Sequence, residues 1–141
     1  MQLLVKKLRS TGVIPHKAYD GDLAYDIYPS EDTALMPKRV TYIPTGIALR
    51  FPLGYGGVIK DRGSTPKKIG VFTVSGVVDH GFTGEIFVAM YNPTDYIITA
   101  VEGIACAQMI LTPVVTAEVC EVADLDYVTD RGENMSGSSD K

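Results

Sequence analysis

Apolar and polar residues alternate with a period of two along much of this chain, the pattern of strands that bury one face. Ile47, Leu49 and Phe51 alternate with Ala48 and Arg50. Ile86, Val88 and Met90 share one face of a predicted strand, with Phe87, Ala89 and Tyr91 on the other. Apolar, β-branched runs at residues 71–78, 96–101, 104–111 and 114–122 predict further strands. Turn residues separate these runs: Pro52 and Gly54, Gly56 and Gly57, Asn92-Pro93-Thr94-Asp95, and Glu102-Gly103. No long stretch has helical periodicity with caps at both ends, and the one helical turn that fits lies at residues 64–68. Short strands at this spacing predict an all-β domain: a sandwich, barrel or jelly roll. It spans residues 1–128, and residues 129–141, polar and rich in Gly and Ser, read as a mobile tail.

Composition refines this picture. The 141 residues fit one domain with a substantial core. Fourteen Gly and eight Pro match a fold with many turns. A net charge of −4 argues against a broad phosphate-binding surface of the DNA-binding kind, so no direct nucleic-acid binding is expected. A small anion can still be held by a few local Arg, Ser and backbone N–H groups. The apolar start, residues 1–8, is broken by Lys6 and Lys7 and has no signal-peptide core, and no run is long enough for a membrane span. Cys106 and Cys120 both fall in predicted strands and read as reduced, buried thiols. The chain is therefore expected to be cytoplasmic, or nuclear in a eukaryotic or viral setting, and not secreted.

Several constellations carry potential chemistry. Residues 76–86, Gly-Val-Val-Asp-His-Gly-Phe-Thr-Gly-Glu-Ile, read as a hairpin with Asp79 at its tip and Phe82 beside it. Asp79 suits a turn residue capping its own backbone, or a carboxylate that orients water next to a ligand-packing ring. Asp26 stands between apolar residues in Ala24-Tyr25-Asp26-Ile27. Arg62-Gly63-Ser64 can hold phosphate oxygens through guanidinium, hydroxyl and N–H groups. Gln108 places an amide in an apolar strand, where it must find a hydrogen-bond partner. Arg131-Gly132 and Gly137-Ser138-Ser139 make a flexible segment suited to polyphosphate. His80 reads as a solvent-facing turn residue, His16 as part of a polar loop, and Asp124, Asp126 and Asp130 as a solvated acidic patch.

In order and spacing, these segments resemble the five motifs of the trimeric dUTPases across nearly the whole chain. Residues 24–27, 62–64, 76–84, 103–110 and 131–139 match the first to fifth motifs, and Gly70 and Asn92 fall at further family positions. The resemblance implies a single-domain jelly roll of the dUTPase-like β-clip kind, assembled as a homotrimer with active sites between subunits. It implies hydrolysis of dUTP to dUMP and pyrophosphate, assisted by Mg²⁺. Asp79 would orient the attacking water, and Phe82 would lie against the deoxyribose. The backbone around Gly76, Val77 and Val78 would read uracil. Arg62, Gly63, Ser64, Gln108, Arg131, Gly137 and Ser138 would handle phosphates, and Asp26 would support Mg²⁺ through water.

The chain departs from the family pattern in places. Where the second motif reads Pro-Arg-Ser, this chain has Asp61-Arg62-Gly63, which removes a hydroxyl and adds a negative charge near a triphosphate. Phe82 replaces a Tyr, and Thr83 replaces an Arg or Gln. Ser136 occupies the place of a Phe that stacks on uracil; loss of such a stack costs about 1–3 kcal/mol, and Met135 beside it offers weaker cover. These changes predict a weakened enzyme, with a non-catalytic nucleotide-binding or regulatory relative as the alternative. The dCTP deaminases share the fold and a similar hairpin, but the glutamate their chemistry needs is Ala89 here.

Overall fold

The structure is a computed structural model and describes residues 1–135. Its elements in chain order are β1 (Leu4–Lys7), β2 (Ala24–Ile27), β3 (Thr33–Leu35), β4 (Arg39–Arg50), β5 (Tyr55–Lys60), α1 (Ser64–Lys68), β6 (Phe72–Thr73), β7 (Val77–Val78), β8 (Glu85–Asn92), β9 (Ile98–Ala100) and β10 (Ala107–Pro113). One four-stranded sheet runs β1-β4-β8-β6, a second runs β2-β10-β5-β7, and β3 pairs with β9. The strand pairs are antiparallel. The all-β expectation is met, and the one helical turn is α1.

All three sheets contribute to one apolar core. Ile43, Ile47 and Leu49 of β4 and Ile86, Val88 and Met90 of β8 meet Ile27, Ile59, Ala107 and Met109 from the second sheet. β8 follows the expected alternation, since Ile86, Val88 and Met90 are buried and Phe87 is exposed, although Ala89 is buried as well. The β4–β8 register shifts between Pro44 and Ala48. Side chains supply bonds there: Thr45 Oγ1 donates to the Ile86 carbonyl at 2.6 Å, and Gly46 N–H donates to Glu85 Oε1 at 3.0 Å. Buried Asn92 closes the far end of β8. Its Nδ2 donates to Leu35 O and Tyr96 O at 2.8 and 2.7 Å, and its Oδ1 accepts from the Thr94 N–H and hydroxyl.

Three expectations are corrected. Residues 71–78 form two short strands on different sheets, because Ser75 (φ 64°) and Gly76 (φ 122°) turn the chain between β6 and β7. Residues 114–122 form no strand: the β10–β5 ladder ends at Pro113, only a single bond from the Val114 N–H to the Gly54 carbonyl follows it among the described residues, and every side chain there is exposed. Cys120 lies in that stretch and is exposed, whereas Cys106 is buried; both are free thiols.

Candidate functional site

Residues 76–86 are not a laddered hairpin, which corrects the reading from sequence. β7 pairs with β5 (Gly57 opposite Val78, Val58 opposite Val77), while β8 pairs with β4 and β6. The loop between them crosses from one sheet to the other, and the Phe82 N–H donates to the Asp79 carbonyl at 3.1 Å inside it. This crossing opens a cavity of about 260 Å³ lined by Tyr42, Val77, Val78, Asp79, Phe82, Glu85, Ile86 and Phe87.

Gly76 anchors the crossing. Its carbonyl accepts the Ile59 N–H at 2.7 Å, and a Cβ at this position would lie 2.4 Å from the Ile59 carbonyl oxygen. Phe82 lays its ring over Gly84, where a Cβ would come within 2.8 Å of the ring. Among the described residues the exposed Asp79 carboxylate accepts no hydrogen bond, so its oxygens remain available to a ligand or water. His80 donates from Nδ1 to the Tyr55 carbonyl at 2.9 Å. A carbonyl only accepts, so this contact puts the proton on Nδ1. His80 is exposed, as expected, and does not line the cavity.

A second cavity, of about 390 Å³, gathers Asp26, Arg62, Gly63, Ser64 and Gln108, with Ala18, Asp22 and Leu23 on its rim. Sheet register explains the grouping: Gln108 of β10 pairs with Asp26 on one side and Lys60 on the other. The Arg62 Nε donates to Asp26 Oδ1 at 2.9 Å and its Nη1 to the Ala105 carbonyl at 3.3 Å. The amide of Gln108 finds the partner its position demands, with Nε2 donating to the Asp61 carbonyl at 2.8 Å. Thr65 holds α1 against the second sheet through its hydroxyl, which donates to the Cys106 carbonyl at 3.3 Å. Asp61 itself does not line the cavity; its Oδ1 accepts the Thr73 N–H at 2.6 Å.

Burial pushes the Cys106 thiol up to about 12, so it is no nucleophile despite the Arg62 guanidinium nearby. Tyr28 is raised by burial and then by the Asp26 carboxylate, with Arg62 pulling the other way. Its ring stacks on His16 at 5.4 Å. Among the described residues no group of three or more His, Cys, Asp and Glu side chains is arranged to hold a metal. The residues present fit a divalent cation bound mainly by ligand phosphates and water. Asp22 and Asp26 both line the cavity; Asp26 is the one bonded to Arg62, and its Oδ2 takes no hydrogen bond among the described residues.

On one chain, therefore, the expected site residues divide into two groups with no shared lining residue. Gly76, just before β7, is held to β5 by the Ile59 N–H and does not line the first cavity. Arg131 is exposed and lines neither, its Nε donating instead to the Asn134 carbonyl at 3.1 Å. Ser136, Gly137 and Ser138 lie outside the described residues. Tyr42, Glu85 and Phe87 escaped the reading from sequence. Phe87 faces opposite Ile86, a usable signal, but Tyr42 reaches the cavity only through the β4–β8 register.

The family model of the dUTPases matches residues 10–140. The chain belongs to the dUTPase family. The deoxyuridine 5'-triphosphate nucleotidohydrolase of Clostridium novyi strain NT is 34% identical over 141 residues, 99% of each chain. That of Paramecium bursaria Chlorella virus 1 is 37% identical over 139 residues, 97% of this chain and 96% of its own. Among solved structures, a variant of the Staphylococcus bacteriophage 80alpha dUTPase with dUpNHpp is 25% identical, with a TM-score of 0.87 over 98% of each chain. A variant of the phage phi11 dUTPase of S. aureus, solved for the coordination of a structural Mg(II) ion, has a TM-score of 0.81 over 90% of this chain and 100% of its own. At 23% identity that likeness is one of fold.

Proposed function

We propose that this protein hydrolyses dUTP to dUMP and pyrophosphate by attack of water on the α-phosphorus. We propose further that it acts as a homotrimer, in which the Asp79–Phe82 cavity of one chain and the Arg62–Gln108 cavity of a neighbour face the same nucleotide. The observation that carries the reading is this division in a dUTPase-family chain. One cavity offers the Asp79 carboxylate, which accepts no hydrogen bond among the described residues, beside the Phe82 ring, and the other offers guanidinium, hydroxyl and amide donors. Each suits one half of a nucleoside triphosphate and neither suits both.

In this reading Asp79 aligns the attacking water and takes up its proton. Phe82 packs on the sugar face, where a 2′-hydroxyl would clash. Backbone groups of residues 76–78 read the uracil edge, which excludes thymine by its methyl and cytosine by its donor pattern. Arg62, Ser64, the Gly63 N–H and Gln108 hold phosphate oxygens, and Arg131, Gly137 and Ser138 of the tail close over them. Asp26 would hold Mg²⁺ through water, and the ion would supply charge neutralisation for the leaving pyrophosphate.

The departures from the family pattern favour a slower enzyme as the second reading. Gly63 has open space where a Cβ would stand, and the hydroxyl nearest to it in the chain is that of Ser64, which lines the same cavity. Deamination is disfavoured because Ala89 is a buried methyl within β8.

The test is pyrophosphate release from dUTP, dCTP, dTTP and UTP with Mg²⁺, for the native protein and Asp79→Asn. Release from dUTP alone, reduced by about 10²–10⁴ in the variant, is expected. No release from any nucleotide by a folded trimer would leave a non-catalytic relative, and ammonia release from dCTP would make it a deaminase.

A further inference from the structure

Asp61 stands next to the phosphate-binding candidates, where an added carboxylate should repel a triphosphate. Its geometry gives it a different part. The carboxylate turns away from the cavity, and Oδ1 accepts the Thr73 N–H at 2.6 Å. Its backbone carbonyl accepts Gln108 Nε2 at 2.8 Å. The next residue is Arg62, held by Asp26 and the Ala105 carbonyl. Asp61 therefore ties β6 of the first sheet to the end of β5 and to β10 of the second.

The segment needs such a tie. Ladder pairing of β5 with β10 ends at Lys60, and pairing with β7 ends at Val58. Residues 61–63 thus leave the sheet without further ladder bonds before α1 begins at Ser64. Gly63, the last of them, is exposed with nothing within 4 Å of a Cβ. A proline at position 61 would restrict this backbone through its ring, which fixes φ. A carboxylate restricts it through a hydrogen bond.

We propose that Asp61 is a positioning residue for triphosphate binding. Its carboxylate grips the Thr73 N–H and so fixes the backbone that orients Gln108 and presents Arg62. This rests on the reading of that cavity as the phosphate half of a dUTPase site. It predicts the opposite sign from simple repulsion: removing the carboxylate weakens binding, and an amide oxygen, which accepts the same N–H, restores it.

The experiment uses the full-length protein with Mg²⁺ and the variants Asp61→Ala and Asp61→Asn. Calorimetry gives Kd for dUpNHpp and for inorganic triphosphate, and steady-state kinetics give KM and kcat for dUTP. Loss of one such bond should raise Kd and KM about tenfold in the Ala variant, with kcat within about twofold, and leave the Asn variant close to native. Equal or tighter binding by the Ala variant overturns the proposal, as does equal weakening in both variants. Should the Ala variant fail to fold, the Asn variant decides, because it keeps the acceptor and drops the charge. Native affinity supports the clamp, and a tenfold change in either direction overturns it. A native protein that binds triphosphate but turns over no dUTP, with the same difference between variants, would keep the clamp and sink the dUTPase reading.

Discussion

Gly76→Ala should damage both stability and turnover, and the structure gives the size of the effect. A Cβ on Gly76 would lie 2.4 Å from the Ile59 carbonyl oxygen and 3.2 Å from its carbon. Both atoms belong to the backbone of β5, a strand flanked by β10 and β7, so no rotamer change relieves the contact. Separation to ordinary contact needs a shift of about 1 Å, and such overpacking costs about 1–3 kcal/mol. The left-handed φ of 122° adds roughly 1–3 kcal/mol for a residue with a side chain. The sum, about 2–6 kcal/mol, corresponds to a Tm lower by roughly 6–20 °C in a domain of this size. Relief of the clash also stretches the 2.7 Å bond from the Ile59 N–H and moves residues 77–79. A 1 Å error in a reacting group can cost about 10²-fold, so kcat/KM for dUTP should fall on that scale. Thermal denaturation at matched subunit concentration and initial rates with dUTP test both parts. Gly81→Ala is the control for stability, since nothing lies within 4 Å of its Cβ. If Gly76→Ala melted within about 2 °C of the native protein and kept its kcat/KM, the argument from close approach would be wrong.

Asn92→Ala strips four hydrogen bonds from a fully buried side chain and leaves the Leu35 carbonyl without its partner, so it should cost about 2–4 kcal/mol; an unchanged urea midpoint would refute this. Phe82→Ala should lower kcat/KM for dUTP about tenfold and narrow the preference over UTP, and an unchanged dUTP-to-UTP ratio would show that the ring does not guard the sugar. Cys106, pushed up to about 12 by burial, is almost wholly protonated at pH 8, and its thiolate grows only as pH rises towards that value. Cys120 is exposed, so a disulfide reagent at pH 8 should consume one thiol per chain rapidly, and Cys120→Ser should abolish that reaction; two rapid equivalents would refute the assignment.

The parts of the fold legible in the sequence are those decided by neighbours along the chain. The alternation at residues 86–90 survives because β8 lies between β4 and β6 with one face on the core. The break in the run at 71–78 was signalled locally, by Ser75-Gly76 inside a mostly apolar stretch, but a Gly in such a run also marks a bulge within one strand. Strand propensity at 114–122 was legible too. A strand also needs a partner, and that is a property of the assembled fold: Val115 and Val119 are 88% and 96% exposed, and so is Cys120, which was expected to be buried. The candidate site follows the same rule. Asp79, Phe82, Arg62 and Gln108 were identifiable from local order, whereas their division between two cavities depends on β7 joining β5 while β8 joins β4.

Position 61 shows why the identity of a departing residue is a weaker guide than its direction. From sequence alone, Asp61 is a charge beside a phosphate site, a liability that repels a triphosphate. In the fold, the Thr73 N–H lies within reach and the carboxylate turns to it, at 2.6 Å. Whether that donor is there depends on β6, the edge strand of the first sheet, lying beside the end of β5, which no local pattern encodes. Gly63 is the contrasting case: its departure removes a hydroxymethyl, and among the described residues, its chain neighbours aside, nothing lies within 4 Å of a Cβ there, so identity and geometry agree that a contact is lost. Asp61 thus supplies by a hydrogen bond the restraint a proline ring would give, whereas Gly63 loses a contact, so together they should appear as weaker phosphate binding with the cavity's shape retained.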